Sequence, residues 1–167
     1  MKSNVERCEL ARGFTISRIV TGMWQIADME RDGRSVDPVA AAEAMRPYVE
    51  VGLTTFDMAD HYGSAEDIAG QYLARHRGGE RVQMATKWVP QPGPVTRKVV
   101  RAAIERALSR LQSESVDLLQ FHAWSYPDPA YLDCLFYLQE LKEEGLIRHL
   151  GLTNFDTAHL RLVLASG

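Results

Sequence analysis

Five short apolar runs, each followed by a longer amphipathic stretch, set the limits on what this chain can fold into. The runs are RIVTG, LTTFD, VQMATK, VDLLQF and IRHLGLT; helical patterns begin near Pro38, Ala65, Thr96 and Ala130, and a fifth follows Asp156. Such alternation reads as parallel strands joined by helical crossovers, because a parallel pair needs a long connection between its members. At or just past the end of each run stand Trp24, Asp57, Lys87, His122 and Asn154, at intervals of 33, 30, 35 and 32 residues. One βα unit separates each from the next. All five therefore belong on the C-terminal edge of one sheet, where parallel α/β proteins bind their ligands.

Two architectures meet this pattern. A (β/α)8 barrel uses about 31 residues per unit, so 167 residues hold a little over five units. An open, doubly wound sheet fits the length outright, but TGMWQIADME follows the first run where a G-x-G-x-x-G phosphate loop is expected. The sequence predicts an α/β fold of the (β/α)8 TIM-barrel type, truncated after about five βα units, with residues 1–167 as a single domain. In TRKVVRAAIERALSRLQ, Val99, Val100, Ala103, Ile104, Ala107, Leu108 and Leu111 make one apolar stripe that should pack on the sheet. Ser64 and Asp67 have capping-box spacing, and Gly145 closes LQELKEEG as a C-terminal glycine. Pro47 falls inside the helix expected between Pro38 and Gly52, and should kink or split it.

Composition removes several classes of function. A net charge of -3 and a pI near 5.9 argue against a nucleic-acid binder. The cluster of Arg97, Lys98, Arg101, Arg106 and Arg110 includes Glu105 and lies on a helical pattern, so it reads as a solvated face. Cys8 and Cys134 form no metal or redox spacing and suit a reducing compartment. The first twenty residues contain no apolar signal core and no run approaches a membrane span, so a cytoplasmic protein is expected. His61, His76, His149 and His159 lack short ligand spacing, so no metal site is expected, and no G-x-S-x-G nucleophile signature occurs.

Asp57, Tyr62, Lys87 and His122, brought together on that rim, could add a hydride to a carbonyl. Negative charge develops on the carbonyl oxygen and must be met by a proton or a hydrogen bond. A phenol is a poor proton donor at neutral pH, and a neighbouring ammonium eases the transfer by favouring the phenolate. Lys87 would supply that charge, Asp57 would pair with Lys87, and His122 would orient the carbonyl. Singly, each has a plainer role: Asp57 as a turn former, Tyr62 as a packing residue, Lys87 as a solvated rim cation, His122 as a structural histidine. Their joint placement favours chemistry. A Schiff-base role for Lys87 would need an amine free of its proton, which Asp57 opposes.

These residues lie in motifs that resemble the aldo-keto reductases. FDMADHYGSAE carries Asp57 and Tyr62 in the family's Asp-x4-Tyr spacing; ATK is similar to the strand that ends in the catalytic lysine, and DLLQFH to the one that ends in the histidine. LKEEGLIRHLGLTNF is similar to the approach to the cofactor. The resemblance implies an NADPH-dependent aldehyde or ketone reductase on a (β/α)8 barrel, taking a small-molecule carbonyl substrate. Asp57, Tyr62, Lys87 and His122 then correspond to the catalytic tetrad, with Tyr62 as proton donor. Thr153 and Asn154 match a Ser-Asn pair that bonds the nicotinamide carboxamide of NADP(H). Gly22, Met23 and Asp57 also fall on the cofactor side, with Met23 where a threonine often stands. Trp24 and, in the AWSYPDP loop, Trp124 would wall the substrate.

Family members continue through three further βα units that complete the cofactor clamp, so five units are expected to leave RIVTG and IRHLGLT as open edges. The inner face should then expose apolar residues such as Val20, Phe56 and Leu119, or neighbours on the same strands, favouring self-association through the edges. The alternative reading is a non-catalytic half-barrel that serves as a binding or assembly module.

Overall fold

The computed structural model describes residues 5–27, 36–91, 93–123, 126 and 129–166. An antiparallel hairpin of β1 (Arg7–Ala11) and β2 (Phe14–Ser17) comes first. It is followed by β3 (Thr21–Gly22), α1 (Pro38–Glu43), α2 (Arg46–Glu50), β4 (Thr55–Asp57), α3 (Ala65–Arg75), β5 (Gln83–Trp88) and α4 (Arg97–Leu111). The chain continues through β6 (Val116–His122), α5 (Ala130–Glu143), β7 (Ile147–Thr153) and α6 (Thr157–Ala165). Strands β3 to β7 form one parallel sheet whose spatial order is their chain order. A doubly wound sheet reverses its strand order at a switch point, whereas a barrel winds in one direction. The sheet is of the barrel kind.

Register decides which side chains share a face, because side chains alternate along a strand and paired residues point the same way. Gly22 pairs with Asp57, Asp57 with Ala85, Lys87 with Gln120, and His122 with Thr153. Asp57, Lys87, His122 and Thr153 therefore lie on one face, together with Thr55, Gln83, Gln120 and His149. That face is largely polar. The opposite face carries Phe56, Met84, Thr86, Trp88, Leu119 and Phe121, all buried. The expectation that Phe56 and Leu119 would be exposed on the inner face is thus overturned: they stand one residue out of phase with the rim residues and are buried in the core. Val20 is 42% exposed, as anticipated, but it precedes the short strand β3 and does not lie within it.

The hairpin, which the sequence pattern did not announce, covers the N-terminal end of the polar face. Arg7 donates to Thr54 Oγ1 at 2.7 Å and Gln83 Oε1 at 3.1 Å; Thr55 Oγ1 accepts from the Ser17 amide at 2.9 Å. Phe14 stacks on His149, with ring centroids 4.4 Å apart. Gly13 makes the turn at φ 72°, a left-handed conformation that suits glycine.

Pro47 does split its segment, into α1 and α2, because it sits in the first turn of the second helix, where a missing N–H costs nothing. Thr96 caps α4 by accepting from the Val99 amide. The α4 stripe packs as the spacing requires, except that Val99, in the first turn, is exposed. Gly145, at φ 87°, follows the α5 cap. The capping box at Ser64 does not form: Ser64 has φ -87° and ψ 11°, away from the extended backbone that aims an N-cap hydroxyl at the helix, and its side chain makes no cap bond. Within α3, a Cβ on Gly70 would stand 1.9 Å from the Arg110 carbonyl oxygen, so α3 and α4 meet at a backbone-to-backbone contact that only glycine allows. Two arginines of α4 meet acids in and just after α5: Arg97 reaches Glu140 at 2.6 Å, and Arg101 pairs with Glu144. No helix among the described residues is long and apolar enough to cross a membrane.

Candidate active site

The rim site is built on the ends of β4, β5 and β6 and on the turn that follows β4. Lys87 is 8% exposed, and its ammonium donates to Asp57 Oδ2 at 2.6 Å and to the Met58 carbonyl at 2.9 Å. The other carboxylate oxygen of Asp57 accepts from Gln120 Nε2 at 3.4 Å. Two fixed partners hold the lysine's flexible stem in one place, and its Nζ lies 4.9 Å from the centroid of the Tyr62 ring.

Tyr62 owes its position to the β4–α3 turn. That turn continues the ladder with β5 beyond the end of β4, through Met58 N to Ala85 O at 2.8 Å and Asp60 N to Lys87 O at 2.9 Å. From below, Arg110 donates to the Asp60 carbonyl at 3.1 Å and to buried Glu66 at 3.2 Å, while Thr86 donates to Glu66 at 2.6 Å. Burial pushes the Glu66 carboxyl above its ordinary range, against the lowering influence of Thr86 and Arg110. Edge-on to the Tyr62 ring stand Trp24, at 4.8 Å between centroids, and His61, at 4.9 Å. His61 Nδ1 pairs with Asp60 Oδ1 at 2.9 Å.

His122 lies on the same face, with its ring centroid 6.0 Å from that of His61. Burial, then electrostatic opposition from His61 and Lys87, hold its imidazole below the usual range, with Asp60 acting the other way. A neutral imidazole can offer a hydrogen bond without surrendering a proton.

The residues expected on the cofactor side separate into two groups. Thr153 pairs with His122 across the sheet, Asn154 follows it exposed at φ 66°, and Gly22 is exposed with open space where a Cβ would be. Met23 is placed differently: its side chain is 1% exposed in the core and its amide is committed to the Asp57 carbonyl at 2.9 Å, so no side chain from this position reaches the rim. A methionine there is spent on packing. Trp124 lies outside the described residues. Gln120, which the motifs did not single out, was detectable as the amide that interrupts the apolar stretch LLQF, two residues before His122.

A singly wound parallel sheet with a lysine–aspartate pair beside a tyrosine at its C-terminal rim defines an α/β protein of the barrel type. The chain belongs to the Aldo/keto reductase family, whose model matches residues 18–167. It is 38% identical over 127 residues to aflatoxin B1 aldehyde reductase member 2 from Homo sapiens, covering 74% of this chain and 35% of that protein. The solved structure of a thermostable aldo-keto reductase in complex with the inhibitor epalrestat superposes with a TM-score of 0.80 at 27% identity, covering 97% of this chain and 58% of that one. The Bombyx mori aldo-keto reductase in complex with NADP shares the fold, with a TM-score of 0.77 at 22% identity over 98% of this chain and 55% of that one. The chain spans roughly a third to a half of the length of curated relatives such as these reductases.

Proposed function

We propose that this chain carries the chemical centre of an NADPH-dependent carbonyl reductase acting on a small aldehyde or ketone in the cytoplasm. The observation that carries the reading is the Asp57–Lys87 pair at 2.6 Å, with its ammonium 4.9 Å from the Tyr62 ring, on the face that also presents His122. Family membership supports it. The bound nicotinamide would supply the hydride. Its fit rests on chemistry present at the rim: a hydroxyl at Thr153 and an exposed amide at Asn154 match the donors and acceptors of a carboxamide, beside open backbone at Gly22.

Tyr62 donates its phenolic proton to the carbonyl oxygen as negative charge develops there. The Lys87 ammonium stabilises the phenolate left behind, and Asp57, steadied by Gln120, keeps that ammonium in place. His122, held neutral, hydrogen-bonds the same carbonyl oxygen and fixes its direction. Trp24 forms an apolar wall beside Tyr62. NADPH oxidation by the protein carrying this chain, followed by absorbance against a panel of aldehydes and ketones with NADH in parallel, tests the reading. Carbonyl-dependent oxidation with NADPH preferred is expected; no consumption with any member of the panel would remove the proposal.

A second reading is supported by the edges. Among the described strands, β3 and β7 each pair on one side only, and α6 leaves Leu160, Leu162 and Leu164 exposed. Unpaired strand edges and apolar helix faces favour association, so the chain would act as an assembly module. Light scattering over a range of concentrations separates the two: a monodisperse monomer counts against assembly, and a defined oligomer without reductase activity counts for it.

A further inference from the structure

Asn154 is one of two residues other than glycine described with positive φ, at 66°. Asparagine tolerates this conformation better than most residues, but it persists only where the surroundings hold it. What holds it here comes from the preceding βα loop. The Tyr126 hydroxyl donates to the Asn154 carbonyl. The ring of Tyr126 is itself fixed: it stacks on His159, with centroids 3.7 Å apart and planes 13° apart, and meets Phe155 and Tyr131 edge-on at 5.5 Å and 5.8 Å. His159 is tied in turn to Asp156, its Nδ1 lying 2.8 Å and 2.9 Å from the two carboxylate oxygens. Asp156 also caps α6 by accepting from the His159 amide at 2.8 Å. An unbroken series of contacts therefore runs from the start of α6, through His159 and the Tyr126 ring, to the backbone of Asn154.

We propose that Tyr126 is a positioning residue for the cofactor: its hydroxyl, held on the carbonyl that follows β7, fixes the backbone that carries the Asn154 amide. This rests on the reading of Asn154 as a nicotinamide contact. Tyr126 lies four residues after His122, the last residue of β6, so one βα unit supplies both the group that orients the carbonyl and the group that steadies the carboxamide contact. The two partners of the hydride transfer would then be held through a shared segment.

Tyr126→Phe keeps the ring and removes the hydroxyl; His159→Leu removes the stacking partner. In the protein carrying this chain, the NMR signals of the Asn154 backbone and side-chain amides should shift and broaden in Tyr126→Phe, because the Asn154 carbonyl loses its donor. The NADPH dissociation constant should rise about tenfold, the effect of one lost hydrogen bond, with the larger change in His159→Leu. Affinity for 2',5'-ADP, which lacks the nicotinamide, should stay within twofold, a selectivity that general loosening of the fold would not produce. Perturbed Asn154 signals with unchanged NADPH affinity, or equal weakening of both nucleotides, would overturn the positioning role. Absence of NADPH binding by the wild type would instead remove the cofactor reading, and the role with it.

Discussion

Replacing Gly70 by alanine adds one methyl group where α3 crosses α4. The new Cβ would sit 1.9 Å from the Arg110 carbonyl oxygen, 2.9 Å from the Leu111 carbonyl carbon and 3.0 Å from that of Arg110, whereas ordinary contact begins near 3.4 Å. All three neighbours are backbone atoms, so no side-chain rotation relieves the clash and the helices must part by about 1.5 Å. Overpacking of this kind costs roughly 1–3 kcal/mol or more, offset by about 1 kcal/mol from the better helix propensity of alanine. With the backbone unable to yield locally the upper part of that range applies, leaving a net loss of about 2 kcal/mol, or roughly 4–8 °C in Tm for a chain of this size. Moving α4 also draws Arg110 away from Asp60 and Glu66, and so loosens the turn that carries Tyr62. Urea and thermal unfolding measure the first effect, and amide exchange across residues 58–64 the second. Unchanged or increased stability in Gly70→Ala would refute the close crossing and the coupling built on it.

Lys87→Met should abolish turnover while costing only about 1–3 kcal/mol of stability, because the Asp57 carboxylate left behind is part-exposed and keeps Gln120; urea unfolding beside activity decides, and a normal rate in a folded variant would exclude the assigned role. NMR titration should find His122 protonating below its ordinary 6.5, since burial disfavours the cation. Its folded pKa is depressed, so the stability it contributes is complete above the unfolded value and is lost as pH falls from about 6.5 through the folded one. Glu66 has the opposite consequence: its folded pKa is raised above the ordinary 4.5, so the folded state loses stability as pH rises through that window. The stability of Glu66→Gln relative to wild type should therefore improve with rising pH, and a constant difference between pH 4 and 8 would contradict this.

The strands of the sheet and the placement of the four rim residues were readable because short apolar runs, helical spacing and βα-length intervals are local properties of the chain. Two further features were legible but faint. The hairpin shows alternation at Phe14, Thr15 and Ile16 beside a turn glycine, yet short strands with charged neighbours give little signal. Gln120 stood out only as an amide among apolar residues. What escaped depends on phase and on contacts distant in sequence. Phe56 and Leu119 sit on strands whose next residues face the rim, and only the register shows that they are buried with the core. Met23 lies beside a rim tryptophan but turns inward. The Glu66–Arg110–Asp60 contacts join residues 44 and 50 positions apart, and Tyr126 reaches Asn154 across 28; no window along the chain contains these pairs.

Single-turnover reduction of an aldehyde by NADPH, measured for wild type and Tyr62→Phe with cofactor affinity determined alongside, tests most directly whether the rim tyrosine supplies the proton. Loss of a positioned general acid lowers the rate by about 10²–10⁴-fold. The expected result is a fall of that size in the hydride-transfer step, with the NADPH dissociation constant within twofold of wild type. An undiminished rate in Tyr62→Phe would show that the proton comes from elsewhere, and that the arrangement of Asp57, Lys87 and Tyr62 is structural.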